Sequence, residues 1–406
     1  MNTGRRTVIT GMAAGLLGSL GARRAVAADM PGVSATEIKI GNTMPYSGPA
    51  SAYGTIGHAE TAYFKMINDK GGINGRKIVY LTEDDAYSPP KTVEQTRMLV
   101  EQEGVAFMFN GLGTPTQTAV QKYLNMKKIP QLFISTGADK WGNYKEFPWT
   151  MGWQPSYRIE GQIYAKYILK NKPAAKIAVI YQNDDFGKDY VNGVKDILGA
   201  DYAKMVVKEA TYETSDPTTD SQVVGLQSAG ADTLLTFATP KFAAQIIRKV
   251  YDINWHPLHF LTNVSISVGS VIKPAGVEKA VGIVTSTYIK DDSDPAWAND
   301  PGLNEWRVFM DKYMPGADHT ETNYIFAYGI SFTLAQVLRQ CGNDLTRENI
   351  MRQATNIHDL EVPVLLPGIR VNTSPTNYHP LRQLQLARWN GKTWERFGGL
   401  IEGAGA

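Results

Sequence analysis

One short loop carries residue types that bind an anion without any charged side chain. The segment Gly111-Leu112-Gly113-Thr114-Pro115-Thr116 directly follows an apolar run, Val105 to Phe109, that is typical of a buried strand. Thr114 is a good N-cap and Pro115 a preferred first-turn residue, so a helix is expected to begin here. The free N–H groups of its first turn would accept a carboxylate, and the glycines would let it come close. Thr114 could equally do no more than cap its helix.

Loops at the ends of other predicted strands are rich in hydroxyl, amide and aromatic side chains. The loop from Thr43 to Gly54 holds two prolines, two glycines and two tyrosines, which suits a binding surface or a rigid turn covering the sheet. Asp184 and Asp185 follow a later strand, where they could simply stabilise the first turn of a helix. Open α/β sheets bind ligands at the carboxyl ends of their strands. We therefore expect one ligand site formed by Tyr53, Gly113, Thr114, Pro115, Ser135, Thr136, Gly137, Phe186, Thr239, Asn263 and Val264.

Catalytic and metal-binding motifs are poorly represented. The loop at Gly111 begins like a dinucleotide-binding motif but lacks the third glycine and any Walker lysine. Asp185-Phe186-Gly187 resembles a kinase motif, yet no His-Arg-Asp loop accompanies it. His256 and His259 are close together, but the intervening Pro257 argues against a helical metal pair. The sequence thus predicts neither an enzyme nor a cofactor or metal site, although an unrecognised pair of catalytic carboxylates stays open.

The elements that must position these loops alternate between short apolar runs and amphipathic segments. Strands such as Ile38–Ile40 and Lys77–Thr82 are separated by helical patterns such as Ile56–Asn68, and the pattern restarts after Pro155. Alternation of this kind is typical of βαβ units, in which a parallel sheet is covered by helices on both faces. The predicted fold class is therefore α/β, with two doubly wound parallel-sheet lobes.

The division of the chain into lobes follows from the same pattern. A length of 406 residues favours two to three domains. Three helical patterns without strands follow residue 286 and would complete the outer layer of the first sheet, if the chain crosses back there. Near the end, Asn390-Gly391 between two apolar runs is typical of a hairpin turn. The predicted units are a signal peptide at 1–27, the first lobe at 28–154 and 287–365, and the second lobe at 155–286 and 366–406.

The first 27 residues have the pattern of a secretion signal. The pair Arg5-Arg6 precedes a weakly hydrophobic stretch, Val8 to Leu20, and Ala25-Val26-Ala27 offers small residues for cleavage. The stretch is too short to span a bilayer. The arginine pair and the glycines in the core are typical of a twin-arginine signal, with an ordinary secretory signal as the alternative. We expect a periplasmic protein without a lipid anchor, because no cysteine follows the cleavage site.

The net charge of the mature chain argues against a nucleic-acid partner. Four of the 41 basic residues and none of the 39 acidic ones fall within the first 27 residues, so the rest holds 37 basic and 39 acidic side chains. Binding to nucleic acid through a basic field is therefore disfavoured. Cys341 is the only cysteine, which excludes an internal disulfide bond.

Several motifs, in order along the mature chain, support a common interpretation. They are Pro45-Tyr46-Ser47-Gly48-Pro49, Asn68-Asp69-Lys70-Gly71-Gly72, Asp84-Asp85-Ala86-Tyr87, Gly111 to Thr116, Ser135 to Ala138 and Asp185-Phe186-Gly187. Together they resemble the periplasmic branched-chain amino-acid binding proteins of ABC importers, which have the type I periplasmic-binding-protein fold. The resemblance implies two lobes joined by a three-crossover hinge, a small-molecule ligand in the cleft, and a membrane permease as partner. We also expect a monomer.

The resemblance also assigns roles to individual residues and reveals one departure. It implies that Thr114 binds a carboxylate, that Tyr53 belongs to the aromatic wall, and that Phe186 stands where a tyrosine is frequent. Members that bind α-amino acids have an acidic residue for the ammonium group in the segment where this chain has Val264. A buried ammonium without a partner would cost several kcal/mol. We therefore expect a small organic acid, aromatic rather than aliphatic, unless Asp184 or Asp185 reaches the ligand.

Other functions on the same fold remain open from the sequence. A ligand sensor would have the same fold but would signal to a regulator instead of a permease. A periplasmic enzyme is the third possibility, and the missing catalytic motifs disfavour it. A branched-chain amino acid and an amide remain alternative ligands.

Overall fold

A computed structural model describes Met1 and residues 30–403 of the chain. The predicted secretion signal, with its arginine pair and cleavage site, lies outside the described residues. No helix within the described part of the chain combines the length and the apolar character that a membrane crossing requires.

The first lobe is built on a five-stranded parallel sheet with the strand order β2-β1-β3-β4-β5. The second strand in this order, β1, buries Ile38 and Ile40, and Ile38 lies opposite Ile78 of β2. The helices between successive strands cover both faces, as the alternation of apolar runs predicts. The elements are β1 (Glu37–Met44), α1 (Gly54–Asp69), β2 (Lys77–Asp84), α2 (Pro89–Arg97), β3 (Phe107–Phe109), α3 (Thr114–Met126), β4 (Gln131–Ile134) and β5 (Thr150–Gly152).

The second lobe repeats this plan but ends in an antiparallel hairpin. Its first part contains α4 (Tyr157–Asn171), β6 (Ile177–Gln182), α5 (Asp185–Leu198), α6 (Tyr202–Met205), β7 (Val206–Tyr212), α7 (Asp220–Ser228), β8 (Thr233–Phe237), α8 (Pro240–Asp252), β9 (Leu258–Leu261), α9 (Lys273–Ala275) and β10 (Val284–Thr287). The closing strands β11 (Gln383–Trp389) and β12 (Trp394–Glu402) pair antiparallel, as the Asn390-Gly391 turn predicts. The strand order of this sheet is β12-β11-β10-β9-β8-β6-β7. The pairs from β10 to β7 are parallel, whereas β11 pairs antiparallel with both β10 and β12.

Three helices return to the first lobe before the hairpin is reached. They are α10 (Pro301–Tyr313), α11 (Thr322–Cys341) and α12 (Arg347–Ala354). Aromatic side chains connect them to α1, where the ring of Tyr63 lies 5.2 Å from that of Tyr328 in an edge-on arrangement. This contact places α11 against the first helix of the first lobe.

The chain passes between the lobes three times. It crosses after β5, after β10, and between α12 and β11. The second and third crossings are bonded to each other, since the N–H of Leu366 donates to Tyr288 O and the N–H of Lys290 to Val364 O, each at 2.9 Å. The predicted α/β class with three crossovers is confirmed. In the segment between α12 and β11, the Tyr378 hydroxyl donates to Pro148 O of the first lobe at 3.1 Å.

Two glycines allow the helices α4 and α5 of the second lobe to touch. A Cβ atom at Gly193 would overlap the carbonyl oxygen of Arg158, and one at Gly161 would overlap that of Tyr190. The backbones therefore meet where neither helix has a side chain. This contact fixes the position of α5, the helix that carries Phe186 and Tyr190.

Candidate functional site

A cavity lies between the lobes, where the carboxyl ends of both parallel sheets face each other. Together with its mouth it has about 700 Å³ of open space, within the range typical of small-molecule sites. Eight of the eleven residues expected from the sequence line it: Tyr53, Gly113, Thr114, Ser135, Phe186, Thr239, Asn263 and Val264. Pro115, Thr136 and Gly137 do not line it.

The residues outside the lining support those within it. The hydroxyl of Thr136 lies 2.5 Å from that of Thr114. Gly137 accepts a hydrogen bond from the N–H of Tyr157 at 2.7 Å, so it connects β4 to the first crossing. Pro115 occupies the first turn of α3, as its type predicts.

The N-terminus of α3 differs in one respect from the prediction. Gly113, not Thr114, occupies the N-cap position, with φ of 101°, and its neighbour Thr114 is already helical. The Thr114 side chain makes no capping hydrogen bond and turns instead toward Thr136 and the cavity. The first-turn N–H groups therefore lack a side-chain cap. Such groups, at the positive end of the helix dipole, attract a carboxylate.

The lobes are closed around the cavity in this structure. The Tyr53 hydroxyl of the first lobe donates to Val264 O of the second at 2.9 Å. At the rim, an ion pair joins Lys140 to Asp185 at 3.0 Å, and another joins Lys273 to Asp318 at 2.8 Å. A ligand between the lobes would thus be shielded from water.

Aromatic rings form much of the cavity wall. Phe186 lies edge-on to Tyr157, with ring centroids 5.1 Å apart, and Tyr157 stacks on Tyr190 at 4.8 Å. The sequence prediction missed Tyr157 and also Tyr87, although Tyr87 stands in a strand-end loop where its type was a usable signal. It also missed Tyr288 and Phe326, which reach the cavity from the second crossing and from α11. No local pattern identifies those two.

Among residues 30–403, no acidic or basic side chain lines the cavity. The carboxylate of Asp184 caps α5, accepting from the N–H groups of Phe186 at 3.0 Å and Gly187 at 3.4 Å. Asp185 pairs with Lys140 at the rim. Neither acid lines the cavity, and the helix-stabilising interpretation holds for Asp184, which caps α5. The polar lining consists of hydroxyl and amide groups.

Two buried glutamates, which the sequence analysis did not select, lie behind the site, one in each lobe. Glu60 on α1 accepts hydrogen bonds from the Tyr80 hydroxyl and the Asn110 amide. Glu160 on α4 accepts from the N–H of Asn263 at 2.8 Å and from the Tyr190 hydroxyl at 2.8 Å. Burial raises the pKa of Glu60 to about 8 and that of Glu160 to about 7, although their hydrogen bonds act in the opposite direction.

Glu60 is expected to make stability fall as the pH rises. The folded chain keeps its proton up to about pH 8, whereas the unfolded chain loses it near pH 4.5. Relative to Glu60→Gln, the wild-type free energy of unfolding should therefore drop by about 1.4 kcal/mol per pH unit between about pH 5.5 and 7.5. Urea denaturation of both proteins across this range measures the difference. A constant difference would show that Glu60 is ionised in the folded protein.

The fold and the cavity together define a class of protein: a two-lobed binding protein with a small-molecule cavity between its lobes. A family model described as periplasmic binding protein matches residues 37–393. The chain belongs to the periplasmic binding protein family, which confirms the resemblance inferred from the loop motifs.

Curated relatives agree with this assignment. The Leu/Ile/Val-binding protein homolog 7 of Brucella suis is 25% identical over 370 residues, which cover 88% of this chain and 90% of that protein. The Leu/Ile/Val-binding protein homolog 3 of Brucella melitensis is 30% identical over a shorter region of 202 residues, 48% of this chain and 53% of that protein.

Solved structures share the fold at lower identity. A branched-chain amino-acid ABC transporter protein from Thermus thermophilus, with bound valine, superposes with a TM-score of 0.81 at 15% identity, covering 92% of this chain and 98% of that one. A fatty-acid ABC transporter substrate-binding protein from Thermomonospora curvata has a TM-score of 0.74 at 20% identity, covering 92% and 94%. At these identities the likeness concerns the fold.

Proposed function

We propose that this protein is the solute-binding component of an ABC importer and captures a small organic acid, aromatic rather than aliphatic, between its lobes. The observation that carries the ligand class is a closed cavity with an uncapped helix N-terminus, several aromatic rings and no charged lining among the described residues. The relatives named for Leu/Ile/Val binding and the transporter proteins with the same fold support the importer role. Passage of the ligand to a membrane permease completes the proposal.

The two ends of the cavity favour different parts of such a ligand. The α3 N-terminus and the hydroxyls of Thr114 and Ser135 suit a carboxylate. The rings of Tyr53, Tyr157 and Phe186 suit a flat apolar body. An α-amino acid would also need a partner for its ammonium group, and the described lining offers no carboxylate.

The location follows from the same proposal. The arginine pair, the short hydrophobic stretch and the small residues at 25–27 support export to the periplasm through a cleaved signal of the twin-arginine type.

The ligand class is tested by calorimetric titration of protein freed of ligand by unfolding and refolding. Benzoate and phenylacetate should bind, and leucine and valine should bind far more weakly, because only the amino acids bring an unpaired ammonium group into the cavity. Tight binding of leucine, with both aromatic acids ignored, would contradict the proposed ligand class.

Thr114→Val should weaken binding of the aromatic acid about 10- to 100-fold, because it removes one hydroxyl that contacts the carboxylate. The matched control is Thr118→Val, one turn along the same helix, where the hydroxyl donates to Thr114 O at 2.6 Å and does not line the cavity. Calorimetry on both variants separates a binding role from a helix role. Equal affinities of the two variants would show that the Thr114 hydroxyl is only structural.

A further inference from the structure

Asn263 is the lining residue whose orientation is most firmly determined by its surroundings. It follows β9 and faces the cavity, while its backbone N–H and its side-chain Nδ2 both donate to the carboxylate of Glu160, at 2.8 Å and 2.6 Å. A carboxylate offers only acceptors to these two groups. The nitrogen end of the Asn263 amide must therefore point at Glu160, and its oxygen points the other way.

The oxygen of that amide has no hydrogen-bond partner among residues 30–403. No described residue donates a hydrogen bond to Asn263 Oδ1, whereas Nδ2 already donates to the carboxylate of Glu160. Asn263 lines the cavity, so this oxygen is available to a ligand. An acceptor presented in a closed, largely apolar cavity favours a ligand that brings a hydrogen-bond donor and disfavours one that does not.

The same orientation is compatible with a protonated Glu160. The Tyr164 hydroxyl, which contacts Glu160, has a second acceptor in Leu261 O at 2.8 Å. The Tyr190 hydroxyl likewise contacts both Glu160 and the Thr262 hydroxyl. Either tyrosine oxygen can accept a hydrogen bond from the protonated carboxyl group of Glu160, while the tyrosine hydroxyl donates to its second acceptor. Both groups of Asn263 then keep their acceptor on Glu160.

We propose that Glu160 is a positioning residue that holds the Asn263 amide with its oxygen toward the ligand, and that the ligand is an aromatic acid bearing a hydroxyl group as a second, donating end. This inference rests on the proposed function and makes it more specific. The absence of charged residues from the described lining favours a neutral donor over an ammonium group. Recognition then uses both lobes, with the carboxylate on α3 of the first and the hydroxyl on Asn263 of the second.

Affinities for three sets of benzoates test the inference on the full mature protein: 3- and 4-hydroxybenzoate, the matching methylbenzoates and the matching methoxybenzoates. A methyl group has nearly the size of a hydroxyl but no donor, and a methoxy group has only an acceptor. The better hydroxybenzoate should bind about 10- to 100-fold more tightly than its methyl counterpart, since the methyl compound leaves a buried oxygen unpaired.

The variant Glu160→Gln makes the test specific to positioning. Its amide nitrogen can donate to Asn263 Oδ1, which turns the Asn263 amide and brings Nδ2 toward the ligand. The ratio of hydroxy- to methoxybenzoate affinity should then fall at least about tenfold. The control is Glu60→Gln, an equally buried change in the first lobe, which should leave the ratio at the wild-type value. Asn263→Leu has no oxygen at this position, so it should bring the hydroxy- and methylbenzoate affinities within about threefold of each other. This variant tests the inference even if Glu160→Gln does not fold.

The outcomes separate this inference from the proposed function. If the wild-type protein binds the benzoates but hydroxy and methyl compounds equally well, the inference is wrong and the proposed function stands. An unchanged ratio in both Glu160→Gln and Asn263→Leu would also overturn it. If no benzoate binds and leucine does, both the inference and the proposed ligand class are overturned.

Discussion

Replacing Gly193 by alanine is expected to lower the free energy of unfolding by about 3 kcal/mol or more. The new Cβ would overlap the carbonyl oxygen of Arg158, and the opposing position on α4, Gly161, is already without a side chain. Because the obstacle is backbone, α4 and α5 must move apart, which opens gaps along their whole contact. The change should appear in a thermal unfolding experiment as a melting temperature lower by roughly 4 °C or more.

The same substitution at another helix supplies the control. Gly225 lies within α7, and a Cβ there would meet only the flexible Lys208 side chain, 3.2 Å from its Nζ. Alanine has the higher helix propensity, so Gly225→Ala should be neutral or stabilising by up to about 1 kcal/mol. Similar stabilities for Gly193→Ala and Gly225→Ala would mean that the close contact of α4 and α5 is not needed.

Gly113→Ala is expected to reduce affinity for the aromatic acid about 100-fold. At φ of 101° an alanine is strained, and its Cβ would lie 2.5 Å from the Tyr87 ring and 2.6 Å from the Thr116 hydroxyl. Relief requires rotation of the peptide that joins Gly113 to Thr114. That rotation turns away the first N–H donors of α3, and losing two charge-assisted hydrogen bonds accounts for the expected effect. Calorimetric titration with benzoate measures it.

Gly75→Ala distinguishes this effect from backbone strain in general. Gly75 also has a positive φ, 78°, but open space surrounds its Cβ position, and it lies in a turn before β2, outside the cavity lining. It should lose about 1 kcal/mol of stability and no affinity. If Gly113→Ala binds benzoate like the wild type, the α3 N-terminus is not the carboxylate site.

The sequence by itself was sufficient for the fold class and for several of the loops that reach the cavity. Strands and helices were predictable because hydrophobic periodicity is local, and α1 and β2 contain the predicted segments Ile56–Asn68 and Lys77–Thr82. Eight cavity residues were predictable for a topological reason, since loops that follow parallel strands gather at one edge of the sheet. Tyr87 lies in such a loop and was within reach of the same argument.

Only the tertiary structure decided how the polar groups pair. Thr114 was expected to cap α3, but Gly113 takes that position and leaves the hydroxyl to Thr136, a partner on another strand-end loop. Glu160 and Asn263 are 103 residues apart, and their hydrogen bonds exist because α4 packs beside the end of β9. Periodicity reports which face of an element is buried, whereas the partner of a buried polar group depends on which distant elements meet there. The amide orientation at Asn263 is therefore a property of the folded molecule.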